Sequence, residues 1–243
     1  MEAHVYPQMY RVEKEHWWFV ARREILARYL DARAPLPDGA RILDVGCGTG
    51  AILEMFSARH DAWGVDTSPQ AIAFCRERGL SKLRLGPLAE FSAPAPFDLI
   101  TMLDVVEHAE DDLGLLRDAL PLLGDRGRLL VTVPAFPSLW SAHDEMLHHE
   151  RRYTRDLLRR RIAEAGFVTE HITFFNTFLF PVALARRTLG RLAGMEQTHD
   201  LDIPAPALNA LLRRVFAAEG DVLRSGSLPF GLSLLCLASK APR

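Results

Sequence analysis

Cysteine is scarce in this chain of 243 residues. Its 3 cysteines, Cys47, Cys75 and Cys236, are odd in number and far apart, which argues against a disulfide framework and against a zinc site built on paired thiolates. Net charge is scarce as well: 29 Lys and Arg against 31 Asp and Glu leave a formal charge of -2, so no overall basic field gathers nucleic acid or holds the chain on an anionic membrane. No apolar run spans a bilayer. A long uncharged, mainly apolar stretch, Ile172 to Ala185, holds about fourteen residues with Pro181 inside it, against the roughly 20 required. The opening residues, with His4, Glu13, Lys14 and Glu15, lack the apolar centre of a signal peptide. A reducing, cytoplasmic setting is the expectation.

What is present is enough for a core. Hydrophobic residues make up 49% and charged residues 25%, which suits one large α/β domain and is too apolar for disorder. Tyr10 to Asp31 carries apolar residues at helical spacing and reads as a leading helix. Arg41 to Val45 then reads as a buried strand running into glycines and a second helix. The unit repeats with strands at Ala62–Val65, Phe97–Leu103 and Gly127–Val133, with helices at Pro69–Arg78 and around Leu113–Leu123. Alternation of this kind predicts a parallel sheet covered on both faces, with ligands at the carboxyl ends of its strands. Beyond Thr154 come a helix, a β-rich run from Val168 to Phe175, about fifty residues of helical character, and a closing strand from Leu232 to Ser239.

Gly46-Cys47-Gly48-Thr49-Gly50 follows the first strand and opens a helix, where glycine lets backbone approach a ligand closely. The G-x-G-x-G spacing is tighter than that of dinucleotide loops, which weakens a nucleotide-diphosphate reading. Asp66 ends the second strand about 20 residues on, where an acid can accept from both hydroxyls of an adenosine ribose.

Through Ile42-Leu43-Asp44-Val45-Gly46-Cys47-Gly48-Thr49-Gly50, Gly64-Val65-Asp66-Thr67-Ser68-Pro69 and Phe97-Asp98-Leu99-Ile100, the sequence resembles the class I S-adenosylmethionine-dependent methyltransferases. The resemblance runs roughly from Arg41 to Phe175 and takes in the closing strand. It implies a Rossmann-like seven-stranded sheet, mostly parallel with an antiparallel last strand, helices on both faces and a helical insertion before that strand. The parts would be a lid at 1–36, a cofactor-binding core at 37–175, the insertion at 176–228 and the closing strand at 229–243. The implied cofactor is S-adenosyl-L-methionine. Asp44, Gly46, Cys47, Gly48 and Gly50 would meet its methionine part, and Asp66 with Thr67 its ribose. Pro87 and Leu88 would flank adenine, and Leu103 with Asp104 would lie beside the methyl group. An acidic residue usual near the adenine is absent at Pro87 and Leu88, leaving apolar and backbone contact there.

Asp104, Glu107 and His108 resemble the Glu-x-x-Glu-His stretch that holds a divalent cation in ubiquinone-biosynthesis O-methyltransferases and small-RNA 2′-O-methyltransferases, and such ligands suit Mg²⁺, Mn²⁺ or Zn²⁺. The competing expectation, and the one adopted, is a metal-free helix start. After the fifth strand, His149 is the first candidate for a general base and His143 the second, because imidazole titrates near neutral pH. His143 adjoins Asp144, which could hold it, whereas His149, Arg152 and Tyr153 could instead brace the loop. Upstream, Trp17-Trp18 with Arg22-Arg23 resembles the segment that lids the cofactor in the ubiquinone enzymes, where an arginine meets the cofactor carboxylate. Trp18 and Arg22 share a helical face.

Apolar clusters edged by arginine, Phe174 to Val182 before Arg186, Arg187 and Arg191, and Leu211 to Phe216 around Arg213 and Arg214, suit internal packing, a dimer contact or a peripheral membrane contact. Oligomeric state leaves no mark in the sequence. The expected activity is methyl transfer to an oxygen of a small-molecule or lipid-linked acceptor, with nitrogen, a carboxylate, or cofactor binding without turnover as alternatives. Nucleic-acid bases are disfavoured by the charge balance and by the lack of an Asn-Pro-Pro-Tyr-type motif after the fourth strand. Ribose methylation stays open.

Overall fold

The computed structural model describes residues 5–182, 184 and 201–241, with His143 described in its backbone only. Seven strands form one sheet: β1 (Arg41–Val45), β2 (Asp61–Asp66), β3 (Leu83–Leu85), β4 (Phe97–Leu103), β5 (Leu123–Pro134), β6 (Phe167–Phe175) and β7 (Ser233–Lys240). Their order is β3-β2-β1-β4-β5-β7-β6. The first five strands pair in parallel, and β7 lies antiparallel between β5 and β6. The interrupted edge hairpin expected from the sequence is therefore present, and β5 begins four residues earlier than its glycine suggests, at Leu123.

Helix α3 (Ala51–Ser57) joins β1 to β2, and α4 (Pro69–Glu77) joins β2 to β3. Helix α5 (Asp112–Ala119) joins β4 to β5 in the opposite direction across the sheet. Right-handed crossovers running in opposite directions put these helices on opposite faces. The strands between them are apolar on both sides, as two-sided covering requires: Ile42, Leu43, Leu99, Ile100, Leu129 and Leu130 have no exposed surface.

The leading helix is two helices. Helix α1 (Val5–Val12) ends before a turn, and α2 (Trp17–Arg33) restarts with His16 as its N-cap, the imidazole accepting from the Trp18 amide at 3.3 Å. The break, Glu13 to His16, holds no apolar residue, and the His16 cap sets the start of the second helix. Helix α2 buries Ala21, Ile25, Leu26, Tyr29 and Leu30 along one stripe. After β5 come the short helix α6 (Ala142–Met146) and α7 (Arg155–Glu164), the latter capped by Thr154.

Two helices of the insertion, α8 (Pro206–Ala217) and α9 (Glu219–Leu223), pack on α2. Phe216 is fully buried and meets Trp17 edge-on at 5.9 Å, whereas Phe178, Val182, Leu208 and Leu211 are exposed. Arg186, Arg187 and Arg191 lie outside the described residues. Among the described residues no helix is long and apolar enough to cross a membrane.

Candidate functional site

The sheet reverses strand order between β1 and β4, which opens a crevice at their carboxyl ends. The backbone is strained around that edge. Asp104 after β4, Phe136 after β5, His148 in the following loop and Asn176 after β6 all have φ between 56° and 60°, a region non-glycine residues enter at a cost and mostly at functional sites.

The glycine loop lies at the mouth of the crevice. Gly46 has φ of 68°, and a Cβ there would stand 2.5 Å from Val105 Cγ2. Gly48, at φ of 55°, has no neighbouring atom nearer than 4.0 Å to such a Cβ, so its backbone faces open space in which a ligand can approach. Asp66 closes β2 beside it. Its Oδ2 accepts from the Gly48 amide at 2.9 Å and its Oδ1 from the Ser68 amide at 2.8 Å, so the expected ribose acceptor also shapes the loop. Each oxygen keeps a further lone pair.

Asp44 is buried and accepts from the Thr101 hydroxyl at 2.6 Å; burial pushes its pKa up to about 7. Cys47 lies 3.8 Å from Cys75, sulfur to sulfur, and that contact with burial pushes its thiol up. Thr67 and Pro87 are exposed. Leu88 is buried in the core, and the Gly86 amide donates to the Asp66 carbonyl at 3.0 Å, tying the expected adenine loop to the ribose acid.

The two lid arginines point different ways. Arg22 lies over the Trp18 ring at 4.9 Å, forms an ion pair with Asp104 at 2.7 Å and donates to the Thr132 hydroxyl at 3.0 Å. Thr132 in turn donates to Asp104 at 2.9 Å. The Arg22 Nε is buried without a partner among the described residues. Arg23 instead donates to the Glu13 carbonyl at 2.8 Å. Arg22 therefore faces the crevice.

Beyond β5, Asp144 is fully buried at the start of the histidine-containing loop. It holds His149, Oδ1 to Nδ1 at 2.9 Å, together with a bidentate Arg152 at 2.7 and 2.9 Å and the Ser141 amide at 2.9 Å. Those donors hold its carboxyl below the usual range. The chain folds back after α6, bringing residue 149 to the acid that adjoins residue 143; the His143 side chain lies outside the described residues. Arg152 and Tyr153 do brace the loop, the Tyr153 hydroxyl donating to Asp112 at 2.8 Å.

The alternative metal set has a different composition in the structure. Ligand atoms of Glu107, His108 and His149 lie within 4.8 Å of one another, whereas Asp104 is taken up by Arg22 and Thr132. Glu107 is fully buried, and neither of its carboxylate oxygens has a hydrogen-bond partner among the described residues. Burial pushes its pKa well above the usual range, and burial pushes His108 down to about 4. A buried carboxylate with two imidazoles fits a divalent cation.

Some polar groups at this edge belong to no sequence motif. Glu13, in the α1–α2 turn, is buried against the Thr49 hydroxyl of the glycine loop at 2.7 Å. Asn209 of α8 bridges the same turn, accepting from the Trp17 amide and donating to the Glu15 carbonyl, both at 2.9 Å. Glu219 accepts from the amides of Asn176, Thr177 and Phe178 at 2.6 to 2.7 Å, fixing the point where the insertion leaves β6. Any signal for them was compositional only: isolated polar residues beside apolar runs.

A family model described as a methyltransferase domain matches residues 17–177. A ubiquinone biosynthesis O-methyltransferase of Xylella fastidiosa is 36% identical over 113 residues, 43% of this chain and 45% of that protein. The chain thus spans about 45% of the length of the curated relatives it matches. Among solved structures, a SAM-dependent methyltransferase from Archaeoglobus fulgidus aligns with a TM-score of 0.58 and 22% identity over 92% of this chain and 94% of that one. A TehB-like SAM-dependent methyltransferase from Corynebacterium glutamicum aligns with a TM-score of 0.54 and 21% identity over 90% and 88%. The strand order, the glycine loop with its strand-end acid, and a family match over most of the chain agree: the chain belongs to the methyltransferase domain family, in the class I S-adenosylmethionine-dependent group that its motifs resemble.

Proposed function

We propose that this protein transfers a methyl group from S-adenosylmethionine to an oxygen of a small-molecule or lipid-linked acceptor. The observation that carries the reading is the buried Asp144 holding His149 at the carboxyl edge of the sheet. The similarity to a protein named as a ubiquinone biosynthesis O-methyltransferase supports oxygen as the acceptor atom. In this reading Asp66 takes the ribose hydroxyls, the glycine loop meets the methionine part, and Arg22 takes the cofactor carboxylate. Thr67, Pro87, Leu88 and Leu103 line the adenosine and methyl ends, and Asp104 and Trp18 fix Arg22.

The sulfonium is intrinsically a methyl donor, so the protein's work is alignment, exclusion of water and removal of one proton. The acceptor oxygen attacks the methyl carbon in line, the carbon–sulfur bond breaks, and the sulfur keeps its electron pair as the neutral thioether of S-adenosylhomocysteine. The hydroxyl proton passes to His149 Nε2. Nδ1 must be the protonated nitrogen, because an ionised Asp144 can only accept.

A second reading is favoured by the partnerless oxygens of Glu107. Glu107, His108 and His149 would hold a divalent cation, whose chemistry is to stabilise a deprotonated hydroxyl. Both readings keep the oxygen acceptor. The test is a screen of metabolite extracts for S-adenosylhomocysteine release with mass spectrometry of the product. A methyl ether supports the proposal; a methylated amine or a methyl ester would replace it, and cofactor binding without turnover on any extract would favour a binding module.

A further inference from the structure

Glu13 is 3% exposed although it lies in a turn between two helices. The Thr49 hydroxyl stands 2.8 and 2.7 Å from its two carboxylate oxygens. The buried Arg78 pairs with the same carboxylate and donates through Nε to the Thr49 carbonyl at 2.6 Å. Three distant points of the chain, the lid turn, the cofactor loop and the end of α4, thereby satisfy one another in a single buried knot. Helix α1 leads from that knot across α4. Tyr10 stacks on Phe74 at 4.6 Å and under the Arg78 guanidinium at 4.6 Å, which holds α1 against the helix that follows Asp66.

Among the described residues of α1 only Val5 is fully buried. A helix with so little apolar anchorage belongs to the low-stability end of a fold. Its attachment rests on the polar knot and on the Tyr10 stack. Arg78 also pairs with Glu54 at 2.7 Å, so loss of Glu13 leaves the arginine with a partner and spares the core.

We propose that Glu13 is a positioning residue of the cofactor site: its carboxylate buckles α1 across the ribose side of the crevice, and this strap opens to admit S-adenosylmethionine and closes behind it. The inference rests on the cofactor reading above. Because the buckle grips Thr49 within the glycine loop, an open strap and a displaced loop go together. Glu13 thus governs how long the cofactor stays, while the transfer step is left to groups on the far side of the crevice.

The test compares Glu13→Ala, Glu13→Gln and Thr49→Val with the wild-type protein. Stopped-flow fluorescence reads the S-adenosylhomocysteine off-rate, and hydrogen exchange reads residues 5–12 with and without that ligand. For Glu13→Ala the off-rate and the KM for S-adenosylmethionine should rise by about tenfold or more, the scale of one charged hydrogen bond, with kcat held within about twofold. Glu13→Gln should fall between, since its amide oxygen still accepts from Thr49. Ligand should slow exchange of residues 5–12 in the wild type and not in Glu13→Ala, while β1 and β4 keep their protection in both. If Glu13→Ala loses that core protection, Thr49→Val, which removes the hydroxyl and leaves Glu13 on Arg78, should raise the off-rate and the KM in the same direction. Wild-type off-rate and KM in the variants, or a fall in kcat at unchanged KM, would overturn the strap. Failure of the wild-type protein to bind S-adenosylhomocysteine at all would overturn the cofactor reading and the strap together.

Discussion

Asp144 Oδ1 and His149 Nδ1 meet at 2.9 Å, with the carboxylate itself gripped by Arg152 through both oxygens. A carboxylate so loaded with donors stays ionised and fixes the tautomer of the imidazole. The other ring nitrogen is then an acceptor. His149→Ala should lower kcat by about 10²–10⁴ and leave S-adenosylhomocysteine affinity nearly unchanged, whereas His143→Ala should turn over near the wild-type rate. Steady-state kinetics with calorimetry checks both. Wild-type rates across the pH range in both variants and in their combination would make this loop a brace.

Turnover is expected to withstand chelator. Dialysis against a strong chelator should change kcat by less than about twofold, and Glu107→Gln, which keeps shape and removes the charge, should fold normally. Loss of activity on chelation with recovery on adding Mg²⁺, Mn²⁺ or Zn²⁺, abolished in Glu107→Gln, would transfer the site to the cation reading.

Asp66→Ala removes an expected ribose acceptor and, with it, the acceptor of the Gly48 and Ser68 amides. Binding of S-adenosylhomocysteine should weaken by roughly 1–3 kcal/mol, the cost of leaving buried polar groups unpaired. Calorimetry reads this directly, and unchanged affinity would remove Asp66 from the site.

Away from the crevice, His171 lies between the Tyr29 hydroxyl at 2.9 Å and the Ser227 hydroxyl at 2.8 Å. Burial, helped by the nearby Arg33 and Arg155 charges, pushes it down to about 4 from the ordinary 6.5. Between those values the unfolded chain binds more protons than the folded one. Its contribution to stability is therefore complete above 6.5 and is lost as pH falls toward 4. Thermal melts from pH 7 to 4 should show a smaller loss of Tm in His171→Gln than in the wild type; parallel curves would contradict the assignment.

The glycine loop and Asp66 were legible because each lies within a few residues of a strand end, where local pattern and chemistry coincide. The parallel sheet followed from the alternation of elements for the same reason, while its strand order came from the fold. What escaped reading is long-range. Glu13 meets Thr49 across 36 positions, Arg22 meets Thr132 across 110, and Asn209 meets the Trp17 amide across 192. No periodicity encodes such pairs, so the break between α1 and α2 and the choice between Arg22 and Arg23 had to come from the fold. Asp104 parts from Glu107 and His108 on a local ground: it pairs with Arg22 and Thr132 once it takes a left-handed backbone at φ of 57°.

The most direct measurement is a crystal structure of the protein with S-adenosylhomocysteine bound. The account places the ribose hydroxyls on Asp66, the homocysteine carboxylate at Arg22, the glycine loop along the amino-acid chain, and the sulfur turned toward His149. A ligand bound elsewhere, or one whose sulfur faces away from Glu107, His108 and His149, would contradict it.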